Sequence, residues 1–546
     1  MQNLTATEFL EFLKRRDIDV RVRDGRLRIH APSGVVDLEL RAELARRKPE
    51  IIAILQAPNV SQPLAPLVPK SRSGKIPQTH AQQGMWLIDH FDPGHVAYNI
   101  PQAFIANVSI DLENFQDAVD GLVARHETLR TSFYEEDGEL FQSVSLAAGA
   151  RVGFTDLSQL AESDRQKELG SLIRDQARLP FDLTQPPLVR FHIFRMAQQQ
   201  HVIFFNIHHI ISDARSLTIL GQELSALYRA ALLKETPVLS HLSVQFADYA
   251  IWVDKQMGGD AMERQIEYWK SKLAGAPQVL DLPISVPYPE QRTAAGATTP
   301  VFIPATVRDT LKTIGTEERA TLFMTLLAVF AVLLFRQAGK DDLCIGSPVT
   351  HRKHVETEPL IGLFVNMVVF RCEMAGSPTF RELLIRVRNT SLEAFENSEV
   401  PFQEVVRALK PDPRLRRSPL FQIMFSFEPN QGLEDDNFIQ IDANSGTARF
   451  DLTLQLRDRA DGIAGLFEYS TDLFQEARIA ELARQFSALV QQVTENPDIQ
   501  ISAIEVSPPA EPELARHNAP SARKKSFWGS QMKRVSMRFG RATEGK

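Results

Sequence analysis

The periodicity of apolar positions changes twice near the start of the chain. A helical spacing of apolar residues comes first, at Leu4, Phe9, Leu10 and Leu13. Residues 18–30 then alternate apolar and polar side chains around Asp24-Gly25, which is the pattern of a β-hairpin with a two-residue turn. Two more helical patterns follow, over Leu38–Arg47 and Glu50–Leu55. The sequence therefore predicts a small domain of helix, hairpin, helix and helix over residues 1–57.

Helical and strand patterns alternate without an internal repeat from residue 76 onwards. The predicted helices are Leu112–Arg125, Ser163–Ala177, Leu220–Ala231 and Thr321–Gln337, and the predicted strands are Val189–Phe194, Val202–Ile207 and Phe450–Leu456. Because this stretch is too long for one core, we expect an α/β (α+β) fold in two lobes, over 76–250 and 251–507. Residues 58–75 predict a flexible linker, and the basic residues 508–546 lack apolar periodicity and predict a disordered tail.

Composition excludes several classes of protein. Of the 546 residues, 61 are Lys or Arg and 68 are Asp or Glu, so the formal net charge of −7 argues against a nucleic-acid-binding protein. The two cysteines, Cys344 and Cys372, are too few for a disulfide framework or a zinc site. The sequence has no apolar run long enough for a membrane span, and its N-terminus lacks the charge order of a signal peptide. We expect a cytoplasmic protein that binds no metal, nucleic acid or membrane.

The segment HVIFFNIHHIISDARS, residues 201–216, carries the strongest chemical signal. Its apolar run predicts a buried strand, and His208, His209 and Asp213 follow directly at the strand end. Function in α/β folds concentrates at strand ends. Because the ordinary pKa of histidine is near neutrality, His209 could accept a proton from an amine or hydroxyl group that attacks a carbonyl, and Asp213 could fix the loop.

Taken alone, this pattern leaves a structural role open, since two histidines and an aspartate at a strand end are more often a structural cluster than a catalytic site. Adjacent strand residues point to opposite faces, so His208 and His209 are poorly placed to share a metal ion. Ser212 lies in no nucleophile elbow, and Cys344 has no cysteine-nucleophile signature around it. A covalent acyl-enzyme therefore has no support in the sequence.

The same segment resembles the HHxxxDG signature of the condensation domains of non-ribosomal peptide synthetases. HHIISDA at residues 208–214 carries the likeness, and other motifs of that family stand around it in the family's order. These are THAQQGMW (79–86), RHETLRTSF (125–133), PFDLTQPPLVR (180–190), VQFADYAIW (244–252), GSPVTHR (346–352), IGLFVNMVVFR (361–371), VPFQEVV (400–406) and RSPLFQIMFSF (417–427). The resemblance covers about 430 residues.

This resemblance implies a specific architecture and chemistry. Each lobe would be like chloramphenicol acetyltransferase, and the lobes would form a V around a tunnel. Carrier proteins would bring substrates as thioesters on phosphopantetheine arms, with no cofactor bound by the chain itself. By motif, His209 is the catalytic histidine, and His208, Asp213 and Arg352 are structural at the active site. Arg352 is the candidate ion-pair partner of Asp213, with a solvated loop residue as the alternative.

Three further positions are candidates for the tunnel wall: Ala214, Ser216 and Asn366. An amide that satisfies core groups is the alternative for Asn366. Ala214 stands where the signature has glycine and Arg215 follows it, so we expect a turn after Asp213 that must accommodate a β-carbon and a charge. Gly84 stands where the first motif usually has arginine, which removes an expected contact between the lobes.

The N-terminal unit resembles the TubC-type β-hairpin docking domains of synthetase subunits. In these, the hairpin edge accepts a linear segment of the upstream protein as an added strand. Residues 15–30 contain six arginines and three aspartates, a local charge of +3, which predicts the acidic C-terminal segment of an upstream carrier protein as the guest. The arginines of the predicted hairpin are Arg21, Arg23, Arg26 and Arg28. Solubility of the strand edge is the alternative role.

Together these features predict a free-standing, monomeric condensation enzyme of a non-ribosomal peptide or hybrid polyketide assembly line, since no adenylation or carrier pattern follows residue 506. It would transfer the acyl group of a carrier-bound thioester to an amine or hydroxyl nucleophile, which is free or held by an acceptor carrier protein. The product would be an amide or an ester, with chain release as one form of the reaction. An epimerisation domain and a non-catalytic platform that recruits carrier proteins are the alternatives.

Overall fold

A computed structural model describes the greater part of the chain. The described residues are 19–23, 26–30, 43, 44, 46–48, 51, 66–70, 72, 74–147, 149–256, 259–285, 288, 289, 292–412, 417–429, 438–441, 443 and 445–505. The chain divides into two units, Met1–Leu67 and Val68–Lys546.

The described sheet of the smaller unit is an antiparallel hairpin. Strand β1 (Asp19–Arg23) pairs with β2 (Arg26–His30), and two residues separate them, as the Asp24-Gly25 pattern predicts. The opposed pairs are Asp19–His30, Val20–Ile29, Arg21–Arg28, Val22–Leu27 and Arg23–Arg26. The predicted hairpin is confirmed, and its register sets four arginine positions on one face.

Helical hydrogen bonds occur in the region of the two later predicted helices of this unit. The N–H of Arg47 donates to the carbonyl of Glu43, and the N–H of Ile51 donates to the carbonyl of Arg47. The predicted helix near Leu4–Leu13, the predicted tail over 508–546 and most of the predicted linker lie outside the described residues.

The larger unit alternates strands and helices. Its described strands are β3 (Ile76–Pro77), β4 (Asn99–Ala106), β5 (Thr131–Glu136), β6 (Glu139–Val144), β7 (Val152–Asp156), β8 (Val189–Ala197), β9 (Gln200–His208), β10 (Gly296–Pro304), β11 (Asp342–Thr350), β12 (Val365–Glu373), β13 (Ile423–Glu428), β14 (Phe438–Ile441), β15 (Leu452–Arg459) and β16 (Gly462–Ser470). Its described helices are α1 (His80–Phe91), α2 (Leu112–Arg125), α3 (Glu162–Ala177), α4 (Ala214–Leu233), α5 (Phe246–Gln256), α6 (Asp260–Lys272), α7 (Ala305–Glu317), α8 (Leu322–Ala338), α9 (Phe380–Glu396), α10 (Phe402–Leu409) and α11 (Glu476–Glu495).

The first lobe is built on a five-stranded sheet in the order β14-β4-β9-β8-β7. Its central strand β9 is apolar on both faces because both faces are covered. Ile203 and Phe205 pack into a core cluster with residues of α2 and α4, whereas Val202 and Phe204 pack into a second cluster with residues of α3. A smaller sheet, β3-β6-β5, also belongs to this part of the chain. The two covered faces fix the direction in which β9 delivers the histidines at its end.

The second lobe is built on a six-stranded sheet in the order β10-β16-β15-β13-β11-β12. Its core includes residues of α7, α8, α9 and α11, and α8 is buried over most of its length. No single described helix has the length and apolar character needed to cross a bilayer, and α7 with α8, bent by 101°, passes that test only as a pair. The fold is thus the predicted mixed α/β fold with two lobes.

One strand connects the lobes. β14 lies in sequence between two strands of the second lobe, yet it pairs antiparallel with β4 as the edge strand of the first lobe's sheet. Shortly after β14, the Nε of Arg178, at the end of α3, donates to the carbonyl of Ser445 over 2.7 Å. The residues that follow β14 are therefore held against the first lobe before the chain returns to the second.

The elements predicted for the larger unit are present, with some shifts of their ends. The helix predicted from Leu220 begins earlier, at Ala214, because Asp213 is its N-cap. The prediction missed this start because the first turn is polar and lacks the apolar spacing of a helix. The proposed boundary between residues 250 and 251 falls inside α5. At the end of the proposed linker, the backbone N–H of Lys70 and the guanidinium of Arg72 both donate to Asp248, each over 3.0 Å.

Gly346→Ala should lower the midpoint of urea unfolding, because a β-carbon on β11 at this position would lie 2.1 Å from the ring of Phe421. We expect a loss of about 1–3 kcal/mol, the usual cost of overpacking a core. Gly221→Ala on α4 is the matched control, since a β-carbon there meets no atom within 4 Å and alanine favours the helix by up to about 1 kcal/mol. A midpoint for Gly346→Ala at or above the wild-type value contradicts the close contact.

Candidate active site

His209 stands at the end of β9, where the chain enters a short 3-10 helix, His209–Ile211. Its Nδ1 lies 2.8 Å from the carbonyl oxygen of Ser212. A carbonyl can only accept, so Nδ1 carries the proton and Nε2 presents its lone pair. The residue is half-buried, and Nε2 has no hydrogen-bond partner among the residues that the structure describes. Burial, together with the cation of Arg449, lowers the pKa of His209 to about 4. The imidazole is therefore a neutral acceptor.

His208 is placed differently from its neighbour. It is buried, and its Nδ1 accepts a hydrogen bond of 3.2 Å from the backbone N–H of Ile210. The ring of Phe181 meets it edge-on, with 6.0 Å between the ring centroids. Burial lowers the pKa of His208 to about 3. This side chain braces the turn that carries His209.

Asp213 is the last residue of the segment 208–213, which is called the histidine loop below. It is the N-cap of α4, and its Oδ1 accepts from the N–H of Ser216 over 2.8 Å and from the Ser216 hydroxyl over 2.7 Å. Its Oδ2 accepts from the N–H of Phe364, in the second lobe, over 3.2 Å. The carboxylate therefore fixes both the start of α4 and its approach to the other lobe.

Arg352, from the second lobe, completes this arrangement. Its Nη2 lies 3.0 Å from Oδ1 of Asp213, and both side chains are almost fully buried, at 3% and 2% exposure. Its Nη1 donates to the carbonyls of Thr357 and Leu360, and its guanidinium carbon lies 4.0 Å from the centroid of the Phe364 ring. The structure thus contains the ion pair that the resemblance implies, and Arg352 is not a solvated loop residue.

Two of the three tunnel candidates serve other purposes in the structure. Ser216 is fully buried, and its hydroxyl lies within hydrogen-bond distance of Asp213, Arg352 and Gly362, so it has no surface to line a tunnel. The amide nitrogen of Asn366 donates to two carbonyls of the loop before α10, and its oxygen accepts from the first N–H of α10. Asn366 therefore satisfies backbone groups, which is the alternative left open by the sequence.

Both departures from the family motifs are accommodated locally. The expected turn after Asp213 is wrong, because Ala214 is the first residue of a helix, where a β-carbon costs nothing. Ala214 is exposed and remains a candidate for the tunnel wall. Gly84 on α1 does not remove the contact between the lobes. A β-carbon there would lie 2.5 Å from Nε2 of Gln403, so this side chain on α10 occupies the space.

Residues of the motifs at 79–86 and 125–133 form hydrogen bonds that support the histidine loop and α4. Gln82 on α1 completes a capping box with Thr79 and donates from Nε2 to the carbonyl of Ile210 over 3.2 Å. On α4, Glu223 accepts hydrogen bonds from Arg125 over 2.9 Å and from His126 over 2.7 Å. The first two motifs therefore position the loop and the helix that flank His209.

Sequence reasoning missed Tyr98 and Arg449, which lie near His209, and Glu468, which interacts with Arg449. The ring of Tyr98 lies edge-on to that of His209, with 6.4 Å between centroids. The guanidinium carbon of Arg449 lies 5.8 Å from the centroid of the Tyr98 ring, and Glu468 on β16 interacts with the backbone of Arg449. Tyr98 lies near His209 because its neighbour Asn99 pairs with His208 in the sheet, and this pairing is not visible in the local sequence. The local sequence around Arg449 likewise contains no signal.

The described residues hold no group of three or more His, Cys, Asp and Glu side chains that could bind a metal ion. Cys344 and Cys372 are buried free thiols, and burial raises the pKa of each to about 12. Neither thiol is therefore available as a nucleophile at neutral pH.

Comparison with protein families assigns both units. The model for the condensation domain matches residues 72–514, and the model for the TubC N-terminal docking domain matches residues 7–57. A polypeptide of the linear gramicidin synthase of Brevibacillus parabrevis is 38% identical over 462 residues, which cover 83% of this chain and 9% of that protein. The chain thus spans less than a tenth of this relative.

Solved structures share the fold. The X-domain in complex with OxyB from teicoplanin biosynthesis is 25% identical, with a TM-score of 0.72 over 82% of this chain and 99% of that one. The first condensation domain of the calcium-dependent antibiotic synthetase, in complex with a substrate analogue, is 18% identical, with a TM-score of 0.69 over 79% of this chain and 100% of that one.

Acid should destabilise the fold through the neutral histidines. The pKa values of His208 and His209 are lowered to about 3 and about 4, whereas the unfolded chain protonates histidine near pH 6.5. The unfolded state therefore binds more protons, so the stabilisation is complete above pH 6.5 and is lost as the pH falls toward 4. In that window, each histidine should lower the free energy of unfolding by about 1.4 kcal/mol for each pH unit of acidification.

Urea unfolding of His208→Gln between pH 7 and pH 4.5 checks this prediction. Glutamine does not titrate between these pH values, so the expected change is a shallower dependence of the unfolding free energy on pH. His241→Gln, at an exposed position, should leave the dependence as it is in the wild type. An unchanged slope in His208→Gln contradicts the neutral, buried state of this ring.

Proposed function

Because the chain belongs to the condensation-domain family and carries a TubC-type docking domain, we propose that it is an acyltransferase that forms a bond between a carrier-bound acyl group and a nucleophile. The donor is a thioester on the phosphopantetheine arm of a carrier protein, and the acceptor is an amine or a hydroxyl group. One observation carries the proposal: the neutral, half-buried imidazole of His209 presents an Nε2 that has no partner among the residues described.

The reaction needs little beyond alignment and one proton acceptor. The nucleophile adds to the thioester carbon, the carbonyl electron pair moves to oxygen, and Nε2 of His209 takes the proton of the nucleophile. The carbonyl then re-forms, the C–S bond breaks, and the departing thiolate takes that proton from His209. A thioester is already activated, so holding the two reactants in place supplies much of the acceleration.

The surroundings of His209 support this role. Ser212 fixes the tautomer, His208 braces the turn, and the buried pair of Asp213 and Arg352 holds the loop between the lobes. A base that keeps one orientation loses little entropy as the reactants meet it. The alternative in which the histidines are only structural leaves the free Nε2 without a purpose.

A second candidate function rests on the likeness to the X-domain, which was solved in complex with OxyB. By that likeness the chain would recruit a partner protein and carry out no reaction. The neutral, partly exposed His209 favours the enzyme, because a recruitment platform needs no proton acceptor.

We further propose that the chain acts in trans, on substrates carried by other proteins. The docking domain supports this, because it belongs to a class that joins separate subunits. The facing arginine positions of the hairpin favour an acidic peptide of the upstream carrier protein, added as a third strand. An acceptor carrier protein or a free nucleophile would supply the other reactant.

His209→Ala should abolish condensation, with a fall in kcat of roughly 10²–10⁴-fold, the usual contribution of a general base. The assay is intact-mass spectrometry of an acyl-loaded carrier protein challenged with a panel of amines and alcohols. His241→Ala is the matched control, because it removes an exposed histidine elsewhere in the first lobe. Product formation by His209→Ala at the wild-type rate would exclude this histidine as the base.

The same assay separates the other functions. Carrier binding without product in the wild-type protein would favour recruitment. A stereochemical inversion on the carrier-bound group without a new bond would favour the epimerisation alternative. Condensation by the wild type and by His241→Ala, but not by His209→Ala, supports the proposal.

Reversal of charge on the hairpin should weaken docking and leave the chemistry intact. Arg21 and Arg28 are opposed in the register, so Arg21→Glu with Arg28→Glu places two acids where an acidic peptide would pair. We expect about tenfold weaker binding of a labelled Asp/Glu-rich peptide, with an effect that shrinks at high salt. Fluorescence anisotropy measures it, and the double lysine variant, which keeps the charge, is the control. Equal affinity of all three proteins would exclude the arginines as the docking determinant.

A further inference from the structure

Three polar groups close to one another at the end of β9 lack hydrogen-bond partners within the described part of the chain. One is an acceptor, Nε2 of His209, and two are donors, the Tyr98 hydroxyl and the Arg449 guanidinium. All three residues are half-buried, so each keeps some access to a ligand.

Tyr98 is held tightly on the first lobe. It ends a short 3-10 helix, Val96–Tyr98, and directly precedes β4. Its ring lies 6.4 Å from that of His209 and 6.3 Å from that of His208, measured between centroids. Burial raises the pKa of Tyr98, so the hydroxyl keeps its proton and remains a donor.

Arg449 reaches the same place from the segment that follows the crossover strand β14. Arg178 binds this segment at Ser445, and Glu468 on β16 interacts with the backbone of Arg449. The guanidinium itself faces the Tyr98 ring, with 5.8 Å between its carbon and the ring centroid. Its nitrogens make no direct hydrogen bond or ion pair within the described ranges, and its charge acts on the carboxyl of Glu468 without direct contact, so its donors are available.

The other charged groups near His209 are already engaged. Asp213 and Arg352 neutralise each other in their buried ion pair, and burial keeps His208 uncharged. Burial raises the pKa of Glu468, against the opposing effects of the Arg449 cation and of a hydrogen bond from the Arg449 backbone. Arg449 is thus a cation beside the proposed base that no carboxylate among the described residues contacts directly, although its charge acts on Glu468.

This arrangement of two donors and one acceptor matches a tetrahedral intermediate of acyl transfer. That intermediate bears a negative oxygen on the carbon that also carries the protonated nucleophile. We infer that Tyr98 and Arg449 bind this oxygen while His209 takes the proton, an inference that rests on the proposed acyl transfer. The nucleophile–carbon bond forms as the carbonyl pair moves to oxygen, between the hydroxyl and the guanidinium. When the pair returns, the C–S bond breaks and the thiolate takes the proton from His209.

Such a site differs from a simple substrate pocket. Donors directed at a charge that exists only in the intermediate raise kcat more than they lower KM. The cation also disfavours a charged His209, which keeps Nε2 free to accept until the oxyanion has formed. Charge on the oxygen then compensates the imidazolium that appears.

The test compares Tyr98→Phe and Arg449→Met with wild type in the loaded-carrier assay. We expect kcat to fall about 100-fold for Arg449→Met, the usual effect of removing an oxyanion donor, and about tenfold for Tyr98→Phe. KM for the loaded carrier should change little. Tyr134→Phe and Arg264→Met, at positions on β5 and α6, are the matched controls and should retain wild-type kcat.

A binding measurement supplies a readout that does not depend on turnover. Titration calorimetry uses a pantetheine phosphonate, which is tetrahedral and anionic, and a pantetheine thioether, which is neutral. Both site variants should bind the phosphonate at least about tenfold more weakly than wild type does and bind the thioether equally well.

The outcomes separate this inference from the proposed function. If the wild type condenses substrates, His209→Ala does not, and both site variants keep wild-type kcat and phosphonate affinity, the oxyanion site is wrong and the enzyme stands. If Arg449→Met alone loses phosphonate affinity, Tyr98 is not part of the site and the paired arrangement is overturned. If the wild type forms no product, the proposed function itself fails. Circular dichroism and the unfolding midpoint confirm that each variant is folded.

Discussion

The buried ion pair between Asp213 and Arg352 is the constraint on which the site depends. Two charges lie almost out of water, so each needs the other, and the pair also uses Ser216, Phe364 and two carbonyls of its own loop. Loss of one partner from such a pair usually costs about 3–5 kcal/mol, because the remaining charge stays buried. An interaction of this kind joins the lobes at one orientation more strictly than an apolar contact does.

The two adjacent histidines divide their tasks because of where the strand ends. His208 still follows the register of β9 and turns inward, where its lone pair binds Ile210. His209 lies one residue later, in the 3-10 turn, and its ring returns to Ser212. The same burial that keeps both rings neutral thus gives one of them a structural bond and leaves the other with a free nitrogen.

Local patterns predicted most of the fold, and tertiary contacts decided the rest. The Asp24-Gly25 turn and the apolar run before His208 are visible in a short window, because their physics is local. The start of α4 was missed, since a capped first turn is polar and resembles a loop. Ser216 and Asn366 were only candidates for the tunnel wall, with a core amide as the alternative for Asn366, because a sequence shows which groups can form hydrogen bonds but not which partners they have. Arg449 was invisible, because only the crossover of β14 brings it near His209.

The crossover of β14 also bears on how such proteins can be recombined. The first lobe's sheet ends in a strand that the second half of the gene encodes, so neither half is a complete folding unit. In a chimera joined near residue 250, β4 would pair with a β14 from a different protein. A first lobe expressed alone would leave the edge of β4 exposed to pairing with other chains. When lobes are exchanged between related condensation domains, β14 therefore has to be transferred together with the first lobe, although its sequence lies among the strands of the second.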